Sequence, residues 1–435
     1  MMLEQAPFEK VSQIELEKIT KAHNKYIKGR PGGARAVIRD KDLSGLNFTG
    51  KNLSQADFSG CLFIGAKMRG ANFECVNFFG CDLSQADMSQ ANLAKADMRG
   101  VNVEDANMEG ADMTKTDLRQ GTSFVTKDPY GDSRLFTQPG KTQSADLSGS
   151  NLSGANLKES NAKDAKFTNA DLSKANLERA NLENADMVNV DLDSANLRNA
   201  NMVSANLQKA ILTNADMEGA QVARTDLSQT LTQETQGKDF EEFGLTLDEL
   251  VFMHTNWVTT AGREGKRMDL SGYDMRDVPK INDMRLTALR ANKATFANMN
   301  LANIQLQKCN LDDCDFRKVN FRSADLRATH IRDADCSHAD FAKARLSPLY
   351  FNKDEDNEYR VDCDLSRSDL SHADFTGAEL SYCKFEGCNL SYAIFEGCDL
   401  TNADFTGAKL NNTHFENADI TNAVFDEGAT PTISV

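Results

Sequence analysis

Residues 373–410 read "ADFTGAELSYCKFEGCNLSYAIFEGCDLTNADFTGAKL", and a large apolar residue falls on every fifth position: Phe375, Leu380, Phe385, Leu390, Phe395, Leu400, Phe405, Leu410. A helix repeats its apolar positions every 3.6 residues and a strand every two, so neither element accounts for a period of five. The same register runs from Leu43 to Leu118, Leu147 to Leu227, Leu286 to Leu346 and Leu365 to Phe425; with Leu270 and Met275 it makes 61 units. Two residues before each centre the side chain is small, as at Ala56, Cys61, Ala66 and Ala71, and just before it usually stands Asp or Asn. The unit is A-[D/N]-[L/F/M]-x-x.

One short period held this long defines a solenoid. Two residues in five point inward, one large and one small, and a corner is needed every five residues. The cross-section is therefore a polygon. From Phe375 to Phe415 Phe and Leu alternate between units. Like residues then recur every ten, which closes cleanly only on an even number of sides. At this point the chain resembles the pentapeptide-repeat family, over 61 units of five in its 435 residues. The resemblance implies an all-β fold, a right-handed four-sided β-helix with about four units per coil, in which residues twenty apart stack at about 4.8 Å. Phe375, Phe395 and Phe415 would form one ladder, and Phe385, Phe405 and Phe425 the ladder opposite.

The segments between blocks divide the chain. Phe8, Val11, Ile19, Ala22 and Tyr26 fall at helical spacing in residues 8–28. Thr246 and Glu249 make a capping box for a second helix carrying Leu247, Leu250, Val251, His254, Trp257 and Val258. "AHNKYIKGRPGGARAVIRDKDL" and "MHTNWVTTAGREGKRMDL" each hold a His, an aromatic three residues later, a Gly- and Arg-rich turn, and then the first coil. This reads as a tandem duplication of two modules, each a helical cap followed by a solenoid. The expected organisation is a cap over 1–40, a β-helix over 41–230 with a loop at 119–144, a second cap over 231–266, a β-helix over 267–427 with a loop at 347–362, and a tail at 428–435. The caps would cover strand edges that otherwise invite stacking with other chains. His23, Tyr26, His254 and Trp257 are the expected cap residues.

The formal charge of −16 disfavours nucleic acid and anionic membrane as direct partners. No stretch approaches the length of a membrane helix. "MMLEQAPFEK" lacks a basic region leading into an apolar run, so a cytoplasmic protein with reduced cysteines is expected, and the family resemblance implies a bacterial one. Eight of the ten cysteines take the small inward position (Cys61, Cys81, Cys309, Cys314, Cys363, Cys383, Cys388, Cys398), where Cys replaces Ala as a small hydrophobe. Neither a Cys-x-x-Cys nor a nearby His completes a metal set. No metal, cofactor or catalytic residue is expected.

Asp fills the position before the centre 25 times, more than the whole net charge, so its abundance is a repeat requirement. Some pentapeptide-repeat proteins mimic duplex DNA and bind DNA gyrase, giving quinolone resistance. Asp57, Asn77, Asp97 and Asp117 would make a partly acidic stripe, as would Glu379, Asp399 and Asp419, but Asn156, Asn176 and Asn196, and Asn161, Asn181 and Asn201, would form neutral amide ladders. Arg317, Arg322, Arg327 and Arg332, five apart, would ring one coil and could not track a backbone. The two loops are the best contact candidates. Loop one offers Tyr130, Arg134 and Phe136; loop two offers Tyr350, Phe351, Asp354, Glu355, Asp356 and Tyr359. These aromatics either meet a partner or fold back on the coils. The reading is a non-enzymatic scaffold for a protein partner, with a gyrase-binding DNA mimic as the alternative and a polysaccharide-active solenoid third. The oligomeric state stays open.

Overall fold

The computed structural model describes residues 8–122, 125–127, 133–135, 142–233, 237–278, 281–351 and 359–427. The chain forms two compact units, Met1–Gln233 and Glu234–Val435. In both, the five-residue sides repeat one backbone pattern, and in a side such as that centred on Phe375 every N–H has a destination. In the side centred on Phe375, the Phe375 N–H donates to Ile394 O (2.8 Å) and Gly377 N–H to Glu396 O (2.8 Å), both one coil on. Asp374 N–H donates back to Ala339 O (3.0 Å), and Ala378 N–H closes the turn on Phe375 O (2.8 Å). The fifth, Thr376 N–H, donates to the Asp374 carboxylate (2.8 Å). That last bond explains Asp or Asn before the centre: its side-chain oxygen takes the one amide that the coil geometry leaves over.

The third residue of nearly every turn among the described residues sits at positive φ, Gln55 at 63° and Lys95 at 58°, as a type II turn demands. Bridged residues are twenty apart, Asn72 to Asn92 and Asp399 to Asp419 among them, all parallel, so four sides close one coil. Across the first insertion Asn102 pairs Asp146 and Asp117 pairs Asn161; across the second His330 pairs Asp364 and Arg345 pairs Glu379. The insertions therefore leave the stacking register intact. One side is irregular: Asp269 pairs Arg290 and Asp274 pairs Thr295, twenty-one apart, because six residues separate Met275 from the buried Ile281. The coil of the first unit also starts earlier than residue 41, since Ala36 and Ile38 are buried and Val37 pairs Asp57.

The interior is filled by stacked hydrocarbon. Phe375 stacks on Phe395 at 4.9 Å, Phe395 on Phe415 at 5.2 Å, Phe385 on Phe405 at 4.9 Å and Phe405 on Phe425 at 4.8 Å, each close to one strand spacing. Phe385 meets Phe395 edge-on at 5.6 Å across the interior. Two helices stand before the coils, α1 (Gln13–Ile27) and α2 (Leu247–Thr259). Phe8 and Val11 precede α1 rather than belonging to it: Glu9–Lys10 pairs in parallel with Lys41–Asp42 as a short rung. Among the described residues no helix is long and apolar enough to cross a membrane.

Candidate functional site

The helix-to-coil junctions are built alike in the two units. His23 is fully buried; its Nδ1 accepts the Ala36 N–H (3.0 Å), so its Nε2 carries the proton and donates to Ser54 O (3.0 Å). His254 is also fully buried, with Nδ1 accepting the Met268 N–H (3.1 Å) and Nε2 donating to Thr287 O (3.0 Å). Each imidazole stacks on the aromatic three residues later, Tyr26 at 5.8 Å and Trp257 at 6.0 Å. Each is followed by an Arg whose Nε donates into the first coil, Arg35 to Gln55 O (2.5 Å) and Arg267 to Ala288 O (2.6 Å). Gly33 and Gly265 allow the chain to double back: a Cβ would lie 2.3 Å from Tyr26 N in the one and 2.2 Å from Met253 O in the other. Burial lowers the pKa of both histidines, more than their bonds to the coil carbonyls raise it.

The insertions form antiparallel hairpins. In the first, Gly121–Thr122 pairs Thr142–Gln143 and Val125–Lys127 pairs Ser133–Leu135, which sets Arg134 opposite Thr126. Tyr130, Phe136 and the Arg134 side chain lie outside the described residues. In the second, Leu349–Phe351 pairs Tyr359–Val361. Phe351 and Tyr359 are cross-strand partners on one face of this ribbon, stacked at 5.1 Å, and Lys308 Nζ lies 3.8 Å from the Phe351 ring centre. Tyr350 and Arg360 share the other face, where the Arg360 guanidinium lies 3.8 Å from the Tyr382 ring centre and pairs with Asp362 at 2.6 Å. The stem is thus gripped on both faces, while Tyr350 and Tyr359 keep 45% and 51% of their surface exposed. Asp354, Glu355 and Asp356 lie outside the described residues. The sequence named the aromatics; it held no sign of their grip, because Lys308 and Tyr382 come from other coils.

The carboxylate stripes are largely spent internally. Arg39 reaches Asp57 (2.5 Å), Arg99 Asp97 (2.7 Å) and Arg119 Asp117 (2.7 Å). Arg345 pairs with Glu379 (3.1 Å), and Asp399 and Asp419 accept the hydroxyls of Thr401 and Thr421. The arginine ring is paired throughout, Arg317 with Asp315, Arg322 with Asp340, Arg327 with Asp325 and Arg332 with Asp312. The two amide ladders form as expected, with Asn176 Nδ2 donating to Asn156 Oδ1 and Asn181 Nδ2 to Asn161 Oδ1, both 3.1 Å. The inward cysteines are thiols, several donating to a carbonyl of the preceding coil, as Cys81 does to Phe58 O (3.0 Å). Burial pushes the Cys61 and Cys388 thiols up to about 12. Among the described residues no group of three or more His, Cys, Asp or Glu side chains is placed to hold a metal ion.

Coils of four five-residue sides, turned on left-handed residues and filled from within, define a quadrilateral β-solenoid. The chain belongs to the pentapeptide-repeat family: "Pentapeptide repeats (8 copies)" matches residues 42–74, 81–120, 143–179, 163–199, 175–214, 191–229, 286–327 and 320–347, and "Pentapeptide repeat region" matches 361–433, together more than half of the chain. Membership gives the coil its right hand. A comparison with curated proteins gives no match. Among solved structures the chain is similar to a trypsin-treated variant of QnrB1, a plasmid-mediated fluoroquinolone resistance protein, at 20% identity over 47% of this chain and 85% of that one, TM-score 0.23. It is similar to HetL, involved in heterocyst differentiation regulation in Nostoc sp. strain PCC 7120, at 18% identity over 92% and 94%, TM-score 0.17. It is also similar to Rfr23 from Cyanothece 51142, at 30% identity over 29% and 88%, TM-score 0.16. At these TM-scores the likenesses add nothing to the family match.

Proposed function

We propose that the chain is a non-enzymatic scaffold of the bacterial cytoplasm whose inserted hairpins meet a protein partner. The observation that carries this reading is the second hairpin's stem, gripped by Lys308 on one face and Tyr382 on the other while Tyr350 and Tyr359 stay open to solvent. Aromatic side chains held in place give up little conformational freedom on binding, which suits them as contact anchors. Tyr130, Arg134 and Phe136 of the segment 119–144, and Asp354, Glu355 and Asp356 of the segment 347–362, complete the proposed contact set. In the same reading each unit is a capped module: α1 and α2 cover the first coils, fixed by His23, Tyr26, His254 and Trp257, and keep those strand edges from pairing with other chains. The filled interior favours binding over catalysis.

The test is affinity capture from host lysate with the full chain and with Tyr350→Ala/Tyr359→Ala. A partner held by the first and lost from a second that keeps its circular dichroism supports the reading. Unchanged capture by that variant and by a deletion of 347–362 overturns it. The gyrase-binding alternative loses ground because the stripe through Asp57, Asp97 and Asp117 is neutralised by arginines. Inhibition of gyrase supercoiling by micromolar protein would restore it.

A further inference from the structure

One corner of the second unit carries a column of rings. His338, His372 and Tyr392 each occupy the left-handed turn position, with φ of 59°, 59° and 64°. The two imidazoles stack at 4.6 Å and 4° between planes, and His372 stacks on Tyr392 at 4.7 Å and 11°. The step from His338 to His372 spans the insertion at 347–362. The column therefore joins the coil before the hairpin to the two coils after it. The Nε2 atom of His338 is shielded from solvent and has no hydrogen-bond partner among the described residues.

The column is weakened when His338 takes up a proton. A proton on His338 would put a charge and an N–H without an acceptor inside the corner, where burial makes both costly. Lys318, at the same corner one coil earlier, opposes the proton and Asp369 favours it. Asp315 and Asp335 on the adjoining side are engaged by Arg317, at 2.5 and 3.9 Å. The Ser337 and Ser371 hydroxyls donate to Asp335 and Asp369. Burial outweighs these charges and lowers His338 to about 4.

We propose that the His338, His372, Tyr392 column is an acid-labile clasp, which ties the coils on either side of the inserted hairpin together when neutral and lets that corner open when protonated. The sign follows from linkage: a base held below its ordinary pKa contributes nothing above about 6.5 and costs stability as pH falls from there towards the folded value. With the closed form titrating at about 4 and the open form near 6.5, opening should rise about 100-fold between pH 7 and pH 4.

The experiment is hydrogen exchange by mass spectrometry on the full chain at both pH values, corrected for intrinsic rates, comparing 336–342 and 370–376 with 161–202. His338→Tyr keeps the stack without a titrating nitrogen, and Tyr392 shows that the turn position accepts the ring. Opening confined to the two clasp peptides, and suppressed in H338Y, supports the clasp. Wild-type peptides that stay protected to pH 4, or H338Y peptides that open as far as wild type, overturn it. If H338Y fails to fold, ring-nitrogen NMR of the wild type decides: His338 must stay neutral through pH 5 and protonate together with local opening, and titration near pH 6.5 without opening refutes the proposal.

Discussion

Replacing Phe395 by Ala tests the packing account where it is most quantitative. Phe395 is fully buried, stacks on Phe375 (4.9 Å) and Phe415 (5.2 Å), and meets Phe385 (5.6 Å) and Phe405 (5.8 Å) edge-on. A buried Phe→Ala change costs about 3–5 kcal/mol, and losing two stacked and two edge contacts places this one near the upper end. Each coil of a solenoid touches only its neighbours, so the cost should fall on the coils around Phe395 and not spread into the first unit. Native-state hydrogen exchange reads this directly. Peptides over 385–425 should lose about 5 kcal/mol of protection while 161–202 keep theirs. Phe395→Leu should cost only about 1 kcal/mol, because Leu fills the same inward position at Leu390 and Leu400. An Ala variant within about 1 kcal/mol of wild type, or a loss shared equally by both units, would refute the reasoning.

Gly265→Ala places a Cβ 2.2 Å from Met253 O at a φ of +77°; it should displace α2, cost more than about 2 kcal/mol and shift the emission of Trp257, the chain's one tryptophan, whereas Gly272→Ala, with open space around its Cβ among the described residues, should cost only about 1 kcal/mol. Because His23 and His254 are held neutral with lowered pKa values, the protection of α1 and α2 should be whole above about pH 6.5 and fall as pH drops below it, and exchange that is flat down to pH 5 would contradict their geometry. Asn181→Ala removes a turn acceptor and two rungs of an amide ladder, and urea unfolding should show a loss of about 1–2 kcal/mol, with Asn181→Asp milder because it still accepts from Glu183 N–H and Asn201.

Much of this was legible because the repeat writes its packing into one interval. The spacing of Phe375, Phe395 and Phe415 gave the ladder, and Thr246 with Glu249 gave the capping box that α2 forms. A further signal went unread: among the described residues no turn residue at positive φ is Val, Ile or Thr, the residues for which that conformation is hardest. The role of Asp and Asn before the centre was also hidden, since it depends on which amide the coil leaves unpaired, as Thr376 shows. Phe8 and Val11 mimic helical spacing but serve a short rung before α1, and the six-residue side ending at Ile281 breaks the register that reveals the others. The grip on Phe351 and Arg360 could not be read at all, because Lys308 and Tyr382 are brought to the hairpin only by the stacking of coils.

The central claim is that backbone twenty residues on, with insertions discounted, lies directly above. Asp117 and Asn161 bridge across the whole first insertion, while Asn156 bridges Asp112 on the neighbouring side. Cysteines introduced at 117 and 161 should therefore fall within the Cα range of a disulfide, about 4.4–6.8 Å, and those at 117 and 156 should not. Mild oxidation followed by mass spectrometry should find the 117–161 bond in nearly every molecule and the 117–156 bond in almost none; equal yields, or a reversed preference, would contradict the four-sided coil.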